Sequence, residues 1–120
     1  RRPPRSTRKE SSAASDVYKR QFLSKVRANL PGIPVFVIGI KPSVAREYLK
    51  AEEMEYNSTI SEMSEKDELL FFVDVWEEML TAEGKPNPSL FVEDGLHINA
   101  EGYKIWTRLV RASLINYFNL

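Results

Sequence analysis

The sequence predicts an α/β fold with parallel strands, and three features of the chain support this. Two apolar runs, at residues 33–40 and 69–75, are rich in β-branched and aromatic side chains, as buried parallel strands usually are. Segments with helical periodicity precede, separate and follow the two runs. The resulting order, helix–strand–helix–strand–helix, is typical of parallel strands joined by right-handed crossovers.

The first helix is predicted at residues 16–30, where Pro31 and Gly32 end it. Its apolar residues recur at roughly helical spacing: Val17, Phe22, Leu23, Val26 and Leu30. The apolar run that follows, at residues 33–40, is continuous rather than alternating. We therefore predict a strand that is buried on both faces.

A second helix is predicted after the first strand, running into the fifties. Ser43 is its predicted N-cap, because a serine hydroxyl can accept a hydrogen bond from a free backbone N–H of the first turn. The helix carries many acidic residues, which we expect to form a solvated surface. They are Glu47, Glu52, Glu53 and Glu55.

The second strand, at residues 69–75, is followed by a short predicted helix at 76–80 and a loop at 85–88. Asp74 is predicted to cap the short helix, although a position at the mouth of a site is an alternative. Asn99 is the predicted cap of a long final helix. That helix has one apolar face, composed of Tyr103, Trp106, Leu109, Val110, Leu114, Tyr117 and Phe118.

The composition excludes several kinds of chemistry. The 120 residues include no Cys, which excludes disulfides, thiolate nucleophiles and Cys-rich metal sites. The only histidine is His97, so the chain cannot hold a metal with two imidazoles. The five glycines form no phosphate-binding loop motif. The sequence thus indicates no metal and no cofactor, and His97 is the first candidate for acid–base chemistry.

The zero net charge combines a basic leader with an acidic body. Residues 1–21 carry seven Lys or Arg and two Asp or Glu, and residues 22–120 carry ten and fifteen. The leader could be a nucleic-acid-binding arm, but no pattern organises its charge. We therefore predict a disordered leader and no nucleic-acid partner. No apolar run is long enough for a signal peptide or a membrane span, and the compartment stays open.

The leader also has a foreign character. Residues 11–21, SSAASDVYKRQ, resemble the conceptual translation of a sequencing adapter. We expect residues 1–21 to be non-native and residues 22–120 to be the carboxyl-terminal part of a longer domain. Two apolar strands with no further partners support this expectation, because proteins usually pair or cover such edges.

The segment after the second strand carries the candidate chemistry. Asp94 and His97 are three residues apart with a glycine between them. A turn there can bring the carboxylate to the imidazole Nδ1 and leave Nε2 as a general base, and burial beside the anion would favour the charged imidazole. The alternative is a structural pair with no catalytic role.

The wider segment DGLHINAEGY, residues 94–103, resembles the last conserved block of the SGNH/GDSL hydrolase family. Residues 35–43 and 71–75 are similar to that family's fourth and fifth strands. The resemblance covers about residues 22–118 and implies a three-layer α/β/α, flavodoxin-like fold that is present in part. It also implies hydrolysis of a small-molecule ester, of a carbohydrate or a lipid.

The resemblance assigns roles to two residues and shows which parts are missing. His97 would be the general base toward a serine hydroxyl, and Asp94 would orient it. The family's serine lies in a Gly-Asp-Ser motif and an oxyanion donor in a Gly-x-Asn-Asp motif, and this sequence contains neither. We therefore expect the chain alone to be inactive as an esterase.

Milder roles are predicted for five other residues. Trp76 and Trp106 are expected in the core, and Lys41 in solvent. Gly102 and Tyr103 are expected to serve close packing and core filling.

Overall fold

The computed structural model describes residues 5–119, and their side chains from residue 17 onward. Helices and strands alternate in the predicted order, which confirms the α/β class. Single turns of 3-10 helix lie between the larger elements, at Glu47–Leu49, Glu77–Met79 and Pro88–Leu90. The larger elements are helix α1 (Arg5–Asn29), strand β1 (Val35–Ile38), helix α2 (Lys50–Glu65), strand β2 (Leu70–Val73) and helix α3 (Ala100–Phe118).

The two strands form a parallel pair connected through α2. Val35 lies opposite Leu70, and Ile38 lies opposite Val73. Three residues of β1 are only half-buried and Ile38 is exposed. The prediction that β1 is buried on both faces is therefore wrong. In the described part of the chain β1 has one strand neighbour, so a run that is apolar enough for the middle of a sheet lies at an edge.

Helix α1 begins eleven residues before the predicted start. It includes residues 5–21 of the leader, whereas the sequence predicts a helix only from residue 16 and disorder before that residue. The physical reason is composition, since Arg, Lys, Glu and Ala are good helix formers even without an apolar stripe. The non-native origin of these residues stays a prediction, and residues 1–4 of the leader lie outside the described residues.

The region between β1 and α2 differs most from the prediction. Ser43 caps no helix: a 3-10 turn intervenes, α2 begins at Lys50, and neither N-cap uses a side chain. The acidic surface is only partly solvated, because Glu52 and Glu53 are half-buried. Helical periodicity does not reveal such burial, because it depends on tertiary contacts made by other parts of the chain.

Two hydrogen bonds of the Asn57 side chain connect α2 to the segment after the carboxyl end of β1. Its Oδ1 accepts a hydrogen bond from the Ile40 N–H at 2.8 Å, and its Nδ2 donates to the Ile40 carbonyl oxygen at 2.9 Å. Gly39 lies beneath this contact, where an added Cβ would be 2.7 Å from the Phe72 ring. The close approach requires glycine and brings the loop after β1 toward α2.

The core lies between the end of β2, the long loop that follows it and one side of α3. Its buried side chains are those of Val73, Val75, Met79, Leu90, Phe91 and Ile98. Trp76 is buried and Trp106 is half-buried, with its indole N–H 3.3 Å from the Met79 sulfur, so both tryptophans pack as predicted. Tyr103 is 58% exposed, so its assignment to core filling is wrong. It lies on the side of α3 that turns away from the core.

The predicted Asn99 cap is confirmed, since Asn99 Oδ1 accepts from the Gly102 N–H at 3.1 Å. The predicted Asp74 cap is wrong: Asp74 Oδ1 accepts from the Trp76 N–H at 2.9 Å, but Trp76 is itself the N-cap of the 3-10 turn, which has no side-chain cap. No helix in residues 5–119 combines the length and the apolar character that crossing a bilayer requires.

Candidate active site

The candidate site is a tight loop, residues 91–98, between β2 and α3. Phe91 and Ile98 form an antiparallel bridge at its base. Inside the loop, the Val92 N–H donates to the His97 carbonyl at 2.9 Å, and the Gly95 N–H donates to the Val92 carbonyl at 3.0 Å. Gly95 has φ +67°, a left-handed conformation that favours glycine. The backbone thus reverses between Asp94 and His97.

This reversal brings Asp94 and His97 together, as the spacing predicts. The Asp94 Oδ2 lies 2.5 Å from His97 Nδ1. The other oxygen, Oδ1, accepts from the backbone N–H groups of Leu96 at 2.8 Å and His97 at 2.9 Å. The carboxylate therefore stabilises the backbone turn through Oδ1, as in an Asx-turn. Through Oδ2 it also orients the imidazole ring.

These hydrogen bonds set the protonation of the pair. The His97 side chain, followed by the two backbone N–H groups, lowers the pKa of Asp94 to about 2. At neutral pH Asp94 is therefore an ionised acceptor, and Nδ1 must carry the proton that lies between the two groups. In the neutral imidazole Nε2 then has a lone pair, and it has no hydrogen-bond partner within the described part of the chain.

The pair is much more open than predicted. The His97 side chain is 76% exposed and that of Asp94 is 46% exposed. The prediction of a buried imidazole beside an anion is therefore wrong for this chain. Sequence spacing reports the local turn, whereas burial depends on elements packed over it, and residues 17–119 provide no such cover.

The loop after β1 locates the turn at the carboxyl edge of the sheet. The Ala45 N–H donates to the Gly95 carbonyl at 3.0 Å, and an added Cβ on Gly95 would be 3.3 Å from Val44 Cβ. Open α/β sheets bind ligands at this edge. The candidate residues therefore lie where the topology favours a site.

Asn99 has two roles, of which the sequence predicted one, the cap of α3. Besides capping α3, its Nδ2 donates to the Ser89 carbonyl at 2.9 Å and to the Phe91 carbonyl at 3.3 Å. The Asn99 side chain therefore connects the start of α3 to the segment at the base of the loop. The signal in the sequence was the cap position, but the two amide donations depend on tertiary contacts.

Two of the solved structures with a similar fold are described as an esterase domain and an acylhydrolase. The esterase domain of the zebrafish ZfL2-1 retrotransposon ORF1 protein matches 88% of this chain and 60% of its own, with 21% identity and a TM-score of 0.73. A protein from Bacteroides fragilis described as an acylhydrolase matches 88% and 52%, with 18% identity and a TM-score of 0.72. A Streptococcus pneumonia protein described as a platelet activating factor matches 78% and 47%, with 20% identity and a TM-score of 0.65. The chain has an SGNH-like hydrolase fold.

The hydrolase fold is present in part, since the chain spans about half the length of the solved structures it matches. The resemblance deduced from residues 94–103 is confirmed at the level of the fold. No protein-family model matches the sequence, and no curated protein matches it significantly.

Lys41, which the sequence predicts to be in solvent, is half-buried. Its positive charge acts to lower the pKa of Glu53.

Proposed function

We propose that this chain supplies the Asp and the His of a Ser-His-Asp triad in an ester hydrolase. One observation carries the proposal: the ionised Asp94 orients His97 through Nδ1 and leaves Nε2 without a partner among the described residues. The descriptions of the solved structures with this fold support the same class of reaction.

The geometry suits both proton transfers of acyl transfer. His97 Nε2 takes the proton of a serine hydroxyl while the oxygen attacks the ester carbonyl, and later returns a proton to the leaving alkoxide. Asp94 keeps the ring in the correct tautomer and stabilises the imidazolium that forms. The serine and the oxyanion donors are not part of this sequence, so the reaction requires residues from outside the 120-residue chain.

A purely structural role for the pair explains less of the geometry. The turn is held by Asp94 Oδ1 and backbone N–H groups, and needs no imidazole. His97 is mostly exposed, and exposed ion pairs add little to stability. A histidine held by one nitrogen at the ligand edge of the sheet is what a general base requires.

The substrate proposed is a small-molecule ester of a carbohydrate or a lipid. No described loop covers His97, so the walls that would select the acyl group and the alcohol also belong outside residues 17–119. A short-chain aryl ester is the appropriate first probe, because it makes the fewest demands on such walls.

The test begins with the in-frame genomic sequence upstream of the codon for Phe22. A Gly-Asp-Ser motif after a strand, followed by Gly-x-Asn-Asp, is expected. The complete domain should hydrolyse an aryl acetate, and His97→Ala and Asp94→Asn should each lower kcat by about 10⁴-fold. Thr107→Ala, an exposed position on α3, is the matched control and should leave kcat unchanged.

The 120-residue chain alone should show no His97-dependent hydrolysis. The proposal is wrong if the upstream frame holds a start codon just before Phe22, or if His97→Ala leaves the activity of the complete domain intact.

A further inference from the structure

A second feature lies beside the candidate site, on the same side of the sheet. An open cavity of about 140 Å³ lies between the loop after β1, the start of α2 and the segment from Trp76 to Pro86. Ser43 lines it, two residues before Ala45, which contacts the candidate turn. Neither Asp94 nor His97 lines this cavity.

Ser43 is the first polar residue of the cavity lining to consider. Ser43 is 2% exposed, and its Oγ has no hydrogen-bond partner among the described residues. Buried polar groups in proteins are nearly always paired, and leaving one unpaired is destabilising. A molecule that hydrogen-bonds to Oγ would remove this penalty and gain affinity from doing so.

Glu53 is the second polar group of the cavity. It is half-buried, and burial raises its pKa to about 7, although the charges of Arg46 and Lys41 oppose the shift. Near neutral pH the carboxyl is therefore protonated in a large fraction of molecules. In that form it both donates and accepts hydrogen bonds.

The charges of the other residues that line the cavity cancel. Glu47 and Glu83 are opposed by Lys50 and Lys85, and Lys85 Nζ lies 3.4 Å from Glu47 Oε1. A balanced rim gives little preference for an anion or a cation. Groups that pair with Ser43 and protonated Glu53 are instead neutral donors and acceptors, as hydroxyl groups are.

The size of the cavity and the chemistry of its lining residues narrow the class of ligand further. A protein cavity of about 150 Å³ can hold one six-membered ring such as benzene, but an arene would leave Ser43 Oγ unpaired. Pro42, Trp76 and Pro86 supply apolar wall. We propose that this cavity binds a neutral, hydroxyl-bearing six-membered ring, of the size of one sugar ring, through Ser43 and Glu53. This inference does not rest on ester hydrolysis.

The test is an NMR titration of the ¹⁵N-labelled 120-residue chain. Methyl α-glucopyranoside and myo-inositol are the ring probes, and acetate and tetramethylammonium are the charged controls. We expect saturable shifts of backbone amides at Ser43, Glu53 and Trp76 with at least one ring probe. Acetate and tetramethylammonium should give no saturable shift there.

Variants separate the hydroxyl contacts from general effects. Ser43→Ala should weaken ring binding about fivefold to tenfold, because one hydrogen bond is lost, without lowering the thermal midpoint, since Oγ has no protein partner. Glu53→Gln keeps a donor and an acceptor and should still bind, whereas Glu53→Leu should not. Ser24→Ala, an exposed serine on α1, is the matched control.

Three results would overturn the inference. They are the absence of saturable shifts with both rings, equal shifts with acetate or tetramethylammonium, and unchanged ring affinity in Ser43→Ala.

Discussion

At the scale of single residues, the two carboxylate oxygens of Asp94 have different partners. Oδ1 accepts hydrogen bonds from two backbone N–H groups of the turn, and Oδ2 accepts a hydrogen bond from the Nδ1–H of His97. Asparagine in this position keeps an acceptor at Oδ1 and places an amide NH₂ where Oδ2 was. The turn and the orientation of the imidazole can therefore be tested separately.

We expect Asp94→Asn to reverse the tautomer of His97. An NH₂ group can only donate, so Nδ1 must become the acceptor and the proton moves to Nε2. Long-range ¹H–¹⁵N spectra of the chain, at a pH where the imidazole is neutral, distinguish the two forms. Asp94→Ala is the contrasting variant, and should lower the thermal midpoint more than Asp94→Asn because it removes the turn contacts as well. An unchanged tautomer in Asp94→Asn would contradict the assigned geometry.

The same carboxylate predicts a pH dependence. The pKa of Asp94 falls from 3.8 to about 2, chiefly through His97. A lowered carboxyl pKa means that the contribution to stability is complete above about pH 4 and is lost as the pH falls toward 2. A ¹³C titration of the Asp94 carboxyl should show this midpoint, and His97→Ala should move it upward. A wild-type midpoint close to 4 would show that the ring does not hold the carboxylate.

At the scale of elements, the first turn of α3 fixes the position of the candidate loop. Gly102 is buried there, and an added Cβ would be 2.7 Å from the Leu90 carbonyl oxygen and 2.8 Å from Ile98 Cβ. Ile98 is at the base of the loop, and Leu90 comes directly before it. Helix and loop can approach this closely only because residue 102 has no side chain.

Gly102→Ala should therefore destabilise the protein, against the usual trend. Alanine in place of glycine inside a helix normally adds about 1 kcal/mol of stability, but forcing a methyl group into packed atoms costs about 1–3 kcal/mol. We expect a net loss of about 1 kcal/mol in the free energy of unfolding, measured by urea denaturation. Thr107→Ala, exposed on the same helix, should be neutral or slightly stabilising. A gain in Gly102→Ala equal to that of a normal helix position would show that the contact can relax.

Local patterns predicted the order of elements, the Asn99 cap and the Asp94–His97 pair, because each depends on residues a few positions apart. Ser43 shows the limit of this reasoning. Its type and position suggest a cap, but the loop buries it instead. The exposure of His97 has the same origin, since burial is decided by distant parts of the chain that periodicity does not reveal.

At the scale of the whole molecule, three aromatic rings connect α3 to both strands. Phe36 of β1 stacks on Phe71 of β2 with ring centroids 4.8 Å apart. Tyr117, near the end of α3, meets Phe71 edge-on at 4.9 Å and Phe36 at 6.0 Å. The other end of α3 carries the candidate loop. The aromatic cluster therefore helps to set the position of the loop relative to the sheet from the far end of the helix.

A double-mutant cycle on Tyr117 and Phe71 measures this connection. Each alanine variant should lower the free energy of unfolding, and the double variant should lose less than the sum, by about 0.5–1.5 kcal/mol, because the edge-to-face contact can be lost only once. Tyr103→Ala, an exposed aromatic on α3, combined with Phe71→Ala should show no such coupling. Additive losses for Tyr117 and Phe71 would mean that α3 is held in place by the core around Met79 and Ile98, without a contribution from the aromatic contact. Coupling would mean that the strands and the helix position the Asp94–His97 turn as one unit.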